Sequence, residues 1–334
     1  MKSVYDLSKN ELGDYLQKLG EPNFRAGQIF SALHNGVEIT NIPNIPKTLR
    51  EQIAKDFYCK LPLIEKELQS KDGTRKFLLK LHDNALIECV LLTAEYGKTA
   101  CISSQVGCKM GCAFCASGAC GFIRHLSAGE MLSQVLLLNS IEKLSNIVIM
   151  GSGEPFDNFD NTVKFLELVT CAQGVNIGAR SISVSTSGLS DQIRRFADLG
   201  MQVNLCISLH APNDAVRQKI MPIAKVHSIK DLIESAKYFF QKTKRRVIFE
   251  YALIDGVNSS PDQAVELARL LRGFPLHVNL INLNVTENSP LRPVPHENAK
   301  KFMDTLIKNG VSCTMRKSRG DDIAGACGQL VARE

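Results

Sequence analysis

Tryptophan is absent from the 334 residues, and the three aromatic types together make up 6% of them. No stacking platform for single-stranded nucleic acid is therefore advertised. Missing too is any uninterrupted apolar run of about 18 residues, the length that a bilayer-spanning helix requires. The opening Met-Lys-Ser-Val-Tyr-Asp-Leu has no apolar core of secretory-signal length. These absences predict a cytoplasmic protein with no membrane partner. Charge of one sign is barely in excess, 40 Lys and Arg against 34 Asp and Glu for a formal +6, which permits a polyanionic partner without demanding one. The eleven cysteines are an odd number without the even framework of a small secreted scaffold, which argues for a reducing compartment and against structural disulfides.

What is present is concentrated between Cys101 and Cys120. Cys108, Cys112 and Cys115 have a C-x-x-x-C-x-x-C spacing, and Gly107 and Gly111 let the backbone fold back so that three thiolates converge. Thiolate clusters suit zinc or iron–sulfur chemistry, but structural zinc is closed by four ligands, normally two pairs from separate segments. Only one triplet is found. A [4Fe–4S] cube held by three cysteines leaves its fourth iron open to a small chelating molecule, which is a catalytic arrangement. The competing reading is a group of buried reduced thiols, since free Cys is among the most buried residue types.

Around this loop the hydrophobic period changes twice. Residues 1–60 read as a helical accessory domain, with apolar spacing of three and four from Asp6 to Leu16, from Phe24 to Leu33 and from Lys47 to Phe57. Lys18, Arg25 and Lys47 give it a basic surface. Residues 61–98 read as a β-rich extension, with strands at Phe77–Leu81 and Ala85–Leu92 and turns at Asp72-Gly73 and Asp83-Asn84. Residues 99–334 alternate strand and helix in about six β/α units, starting with Thr99–Ser103, which predicts an open, partial (β/α)6 barrel; a doubly wound open sheet is the alternative. Glu88 lies inside a strand between Ile87 and Cys89, where alternation by itself makes it a solvent-facing residue. Basic clusters at Lys242, Lys244, Arg245 and Arg246, and at Arg316, Lys317 and Arg319, read as solvated element ends or as RNA contacts.

In either architecture chemistry gathers at the carboxyl ends of the parallel strands. Gly153 and Glu154 come after one such strand, Ser185 closes the next, Ser208, Leu209 and His210 close the third, and Asn282 and Asn284 end the fifth. After the last strand Cys327 sits between Ala326 and Gly328, on a small-residue loop where it is either a nucleophile or an inert tail thiol.

With these pieces assembled, the chain resembles the radical S-adenosylmethionine enzymes through Cys108, Cys112, Phe114 and Cys115. More narrowly it resembles the RlmN-type dual-specificity adenine carbon-2 methyltransferases of ribosomal and transfer RNA. The narrower likeness is carried by Phe24-Arg-Ala, Cys101 to Cys108, Gly153-Glu-Pro, Ser185-Thr-Ser-Gly, Ser208 to Asn213, Arg319 to Ile323 and Ala326 to Leu330. The resemblance implies one [4Fe–4S] cluster on Cys108, Cys112 and Cys115. It implies S-adenosylmethionine held by Gly153, Glu154, Ser185, Ser208, Leu209, His210 and Asn284, with two molecules used per turnover. The first would methylate Cys327; the second, cleaved reductively, would yield a radical that takes hydrogen from that S-methyl group. The carbon radical adds to carbon 2 of adenine, giving a covalent protein–RNA adduct. Glu88, thirteen residues before Cys101, would accept a proton, and Cys101 would then attack Cys327, forming a transient disulfide and releasing product. Implied partners are 23S rRNA at adenine 2503 and tRNA at adenine 37, with an electron donor such as flavodoxin or ferredoxin, acting on a monomer. The target base would leave its stack, and RNA shape and phosphate contacts would supply most of the affinity. Pro155 and Ser187 match the carbon-2 pattern rather than that of the related Cfr-type carbon-8 methyltransferases, the alternative reaction. Ser152 departs from the Met that many relatives carry. A non-catalytic iron–sulfur RNA-binding protein, the reading from another class, would require neither Glu88, Cys101 nor Cys327. Cys59, Cys89, Cys120, Cys171, Cys206 and Cys313 read as structural thiols.

Overall fold

The computed structural model describes residues 1–95, 97–286 and 289–331. The chain opens with α1 (Lys9–Lys18), α2 (Phe24–His34) and α3 (Lys47–Asp56). At the head of α1 the Ser8 hydroxyl accepts the Glu11 amide while the Glu11 carboxylate accepts the Ser8 amide, a reciprocal cap worth about 1 kcal/mol. The apolar faces of these helices bury Leu12, Leu16, Ile29, Phe30 and Ile53 in a core continuous with that beneath the sheet.

A meander comes next. Strands β1 (Leu63–Gln69), β2 (Arg75–Lys80), β3 (Leu86–Ala94) and β4 (Gly97–Ile102) pair antiparallel in sequence order. Strand β1 escaped the reading of periodicity because it is an edge strand whose residues are nearly all exposed, so no buried face imprints an alternation. Strand β4 then changes partner. One of its neighbours is antiparallel β3, and the other is parallel β7 (Asn146–Ile149).

The cysteine loop lies between them, braced by a small ladder of β5 (Gln105–Gly107) with β6 (Phe122–His125) and by the short helix α4 (Ala116–Ala119). Gly107 has a φ of 73°, and a Cβ there would fall 1.9 Å from the Gly121 carbonyl oxygen. Close approach of two backbones fixes glycine at that position.

Helix α5 (Ala128–Ile141) returns the chain to β7. The alternation continues through α6 (Phe159–Thr170), β8 (Ile182–Thr186), α7 (Ser190–Asp198), β9 (Asn204–Ser208), α8 (Asp214–Ile220), α9 (Ile229–Thr243), β10 (Val247–Leu253), α10 (Pro261–Leu270), β11 (Leu276–Asn282), α11 (His296–Lys308) and β12 (Cys313–Arg316). The ten-stranded sheet runs β1-β2-β3-β4-β7-β8-β9-β10-β11-β12, and every pair from β4 onward is parallel. Strands β1 and β12 are its edges, so the sheet is open, and the six β/α units expected from the alternation are present, with β12 closing the series. Helix α8 was not foreseen. Its seven residues are too few for a periodicity to stand out from the loop before it.

The helical start docks on the parallel unit through polar contacts as well as the shared core. Asp6 Oδ1 accepts the Gly129 amide at 2.6 Å, in the first turn of α5, and Lys164 of α6 pairs with Glu11 at 2.7 Å. The basic run after α9 reads structurally as an element end: Lys242 pairs with Asp198 at 3.2 Å, Lys244 caps the helix in a left-handed conformation and Arg245 bonds the Asn204 side chain. Among the described residues no helix is long and apolar enough to cross a membrane.

Candidate functional site

The parallel strands end on one side of the sheet, and the turns that leave them are shaped by three buried polar residues, of which only Gln105 belongs to a motif, the Cys101–Cys108 stretch. Arg217, fully buried on α8, donates to the carbonyls of Ser187, Ser208 and Leu209 at 2.6, 3.0 and 3.1 Å, tying the ends of β8 and β9 together. Gln105 accepts the Glu154 amide at 2.8 Å and donates to Asp157 at 2.8 Å. Asn258 donates to the carbonyls of His210 and Ala252 at 2.8 and 2.7 Å. These side chains replace regular ladder bonds where the backbone turns away from the sheet, as buried backbone groups demand.

On that framework one cavity of about 160 Å³ collects residues from across the chain. Cys108, Cys112, Cys115, Gly153, Glu154, Ser185, Ser208, His210, Asn284 and Cys327 all line it. Leu209 does not; it is wholly buried in the main core, and its polar contribution is the backbone carbonyl held by Arg217.

Glu154 is buried with both carboxylate oxygens occupied, accepting the amide of Phe156 at 3.0 Å and that of Ser187 at 2.6 Å. Burial pushes its carboxyl above the ordinary range, against the opposing pull of those two amides. Gly153 is required by crowding: at φ 110° a Cβ would lie 2.6 Å from Gln105 Cβ. His210 accepts the Ala252 amide through Nδ1 at 2.8 Å, and burial, with Arg217 nearby, lowers its pKa to about 3. It is therefore a neutral imidazole whose proton sits on Nε2, packed edge-on against Phe114 at 4.7 Å. Asn284 bonds the chain itself, donating to the Cys327 carbonyl at 3.0 Å and accepting from Ser318 at 2.7 Å.

The donor set suits a cluster better than a lone ion. Among the described residues no three Cys, His, Asp or Glu side chains stand close enough to share one metal ion, whereas a four-iron cube takes one thiolate at each of three separate corners. Burial pushes the Cys108 thiol up to about 12 and raises Cys112 and Cys115 as well; a cationic centre would reverse that, since coordinating thiols are deprotonated outright. The same cavity leaves Glu250 Oε2 buried without a hydrogen-bond partner, so its lining also fits a polar organic ligand.

Cys327 reaches a second cavity, shared with Cys101, Met150 and Arg316. Burial and the neighbouring Cys327 push the Cys101 thiol up to about 12, and Arg316 opposes them. Arg316 lines both cavities, stands 3.9 Å from Glu250 and is held more firmly protonated chiefly by Cys327. It belongs to a basic cluster that charge alone could not distinguish from a solvated element end.

Glu88 corrects its local reading. Alternation made it a surface residue, but it is 5% exposed, because both faces of β3 are covered. Ile87, Cys89 and Leu91 join the main core, while Val90 packs with Cys101 and with Leu330 of the C-terminal segment. Glu88 pairs with Lys76 at 3.0 Å and accepts the Val331 amide at 2.7 Å. Burial raises its pKa despite both. It lines a third cavity, of about 470 Å³, on which Cys112 and Cys115 also border.

Two family models match the chain: that of the radical SAM superfamily over residues 102–270 and that of the ribosomal RNA large subunit methyltransferase N-terminal domain over residues 3–58. Among curated relatives, a probable dual-specificity RNA methyltransferase RlmN of Clostridium perfringens (strain 13) is 46% identical over 336 residues, covering 99% of this chain and 96% of its own. The protein of the same description from Geobacillus kaustophilus is 45% identical over 341 residues, covering 100% and 93%. A crystal structure of a radical SAM methyltransferase from Sphaerobacter thermophilus superposes with a TM-score of 0.96 at 42% identity, covering both chains in full.

Proposed function

We infer the reaction from one premise: the chain belongs to the RlmN-type family of radical SAM RNA methyltransferases. We propose that it methylates carbon 2 of adenine in 23S rRNA and in tRNA, through a methyl group carried on Cys327 and a covalent protein–RNA adduct. The observation that carries this reading is the position of Cys327. It borders the cavity of Cys108, Cys112, Cys115 and Glu154 on one side and the cavity of Cys101 on the other.

Cys108, Cys112 and Cys115 would hold the cluster, and Gly153, Glu154, Ser185, Ser208, His210 and Asn284 would hold S-adenosylmethionine, with Leu209 contributing through its backbone. When bound, the cluster and S-adenosylmethionine together supply the methyl group and the carbon-radical chemistry that an electrophilic amidine carbon requires. The chain's own part is placement and proton handling. Glu154 can accept from an ammonium while its carboxylate stays fixed by the Ser187 and Phe156 amides. His210, neutral and donating through Nε2, adds no charge that would repel a cationic sulfonium. Glu88, made more basic by burial, accepts the carbon-2 proton of the adduct, whose unpaired electron would return to the bound cluster. Cys101 attacks the Cys327 sulfur: the S–S bond forms as the bond to the methylene carbon breaks, and that carbon keeps the electron pair and takes a proton. Electrons come from a flavodoxin or ferredoxin.

The test is anaerobic. Cluster-loaded protein given S-adenosylmethionine, a reductant and an RNA fragment should yield 5′-deoxyadenosine and 2-methyladenine, and Cys327→Ala should yield no methyladenine. Formation of 8-methyladenine would move the protein to the Cfr-type reaction, and methyladenine from Cys327→Ala would refute the covalent route.

A further inference from the structure

After β12 the segment carrying Cys327 has only a three-residue 3-10 turn, Asp321–Ile323, so something else fixes its position. Its anchors fall in two groups. One joins it to the parallel unit: Ala116 donates its amide to the Gly328 carbonyl at 2.7 Å, the Ser117 hydroxyl donates to the Leu330 carbonyl at 2.7 Å, and Asn284 holds the Cys327 carbonyl. The other joins it to the antiparallel extension. The Gly320 amide donates to Asp72, and the Lys71 amide to Asp322, at 3.0 and 3.2 Å. Two further bonds come from a single ion pair.

Lys76 on β2 and Glu88 on β3 are diagonal neighbours across the ladder, since Glu88 lies opposite Leu78, and their side chains meet at 3.0 Å with 11% and 6% exposure. Lys76 Nζ also donates to the Ala324 carbonyl at 3.2 Å, three residues before Cys327. Glu88 Oε2 accepts the Val331 amide, four residues after it. One charge pair thus grips the loop upstream and downstream of its thiol. A single ammonium sets the orientation of the Glu88 carboxylate and the height of the loop together. The ion pair itself is little exposed, so water competes weakly for it, whereas the Ala324 carbonyl stands at the surface.

We propose that Lys76 is a positioning residue that clasps Glu88 and the Cys327 loop in one register, so that proton acceptor and methyl carrier face the same base. This rests on the roles given above to Glu88 and Cys327. Lys76 has no part in the chemistry itself; it acts through Glu88 and through the Ala324 carbonyl.

Hydrogen exchange on the full chain, without cluster or RNA, reads the clasp directly. In Lys76→Met, amides across 324–331 should exchange roughly tenfold faster or more while β3 and β4 keep their protection, and Lys76→Arg should restore most of the slowing, because a guanidinium can span both acceptors. In the reconstituted enzyme kcat should fall about tenfold or more in Lys76→Met with KM for RNA unchanged. Unchanged exchange at 324–331 overturns the proposal. So does loss of protection throughout β2–β4 that Arg does not rescue, which marks Lys76 as a fold residue only, or a raised KM with kcat kept, which makes it an RNA contact. If Lys76→Met does not fold, Lys76→Gln set against Lys76→Arg decides by the same readouts. If wild type forms no methyladenine while the exchange pattern is as expected, the clasp stands and the reaction assignment fails.

Discussion

Two of the buried carboxylates around the cysteine loop come from the antiparallel and the parallel parts of the sheet, and they are held by different means. Glu154, after the parallel strand β7, rests on backbone amides of the adjoining turns, Phe156 and Ser187. Glu88, within the antiparallel extension, rests on a side chain, Lys76, and on an amide 243 residues away. Burial raises both acids, so neither is comfortable as an anion without its partners. The difference lies in what can leave. Amides set by the framework around β7 and β8 cannot withdraw without local unfolding, which suits a residue that must present a fixed acceptor to a ligand. A lysine and a C-terminal segment can withdraw, which suits a residue that changes protonation state in each cycle.

Removing each carboxylate sharpens that contrast. Glu154→Leu leaves the Ser187 and Phe156 amides buried without acceptors, each at about 1–3 kcal/mol. The chain should lose about 2–6 kcal/mol of stability in chemical denaturation, together with S-adenosylmethionine binding. Glu88→Gln keeps an acceptor for Val331 and a similar shape, so its unfolding free energy should stay within about 1 kcal/mol of wild type. Its turnover should nevertheless fall by about 10²–10⁴, the usual worth of a positioned acid–base group. If Glu88→Gln unfolds as readily as Glu154→Leu, both carboxylates are structural and the contrast fails.

The same contrast marks how much could be read from residues alone. The three cysteines, Glu154, Ser185 and Ser208 were legible because a ligand loop and strand ends carry local spacing. The parallel strands β4 and β7 to β12, and the longer helices between them, were legible because burial on a parallel sheet imposes a period. Glu88 was not legible locally: its partners are Lys76 and the Val331 amide, the latter brought back by a segment with no period of its own. Only the family likeness singled it out. No role was assigned to Lys76, Gln105, Arg217 or Glu250, although Gln105 stands in the Cys101–Cys108 stretch. Each is a lone polar residue with a partner 12 to 49 positions away, and no spacing rule selects one such residue from its neighbours. Arg316 was noticed only as charge, because clustering with Lys317 and Arg319 conceals that it turns inward.

The smallest expected effect is the most direct measure of how Glu88 is held. Its folded pKa lies above the ordinary carboxyl value of about 4.3, so between that value and the folded one the native chain retains a proton that the unfolded chain has released. The stabilising contribution of Glu88 is therefore complete below the ordinary value and is lost as pH rises through the folded pKa. Glu88→Gln cannot titrate there. Denaturation of both proteins from pH 4 upward should show wild type losing ground to Glu88→Gln until the folded pKa is passed, and a constant difference beyond it, with about 1.4 kcal/mol for each unit by which the pKa is raised. The opposite trend, wild type gaining on the variant, would mean that Lys76 and the Val331 amide outweigh burial. The carboxylate would then be a weaker base than free glutamate, held in its ionised form as firmly as Glu154 is held in place, and Glu88 would lose its claim to the proton.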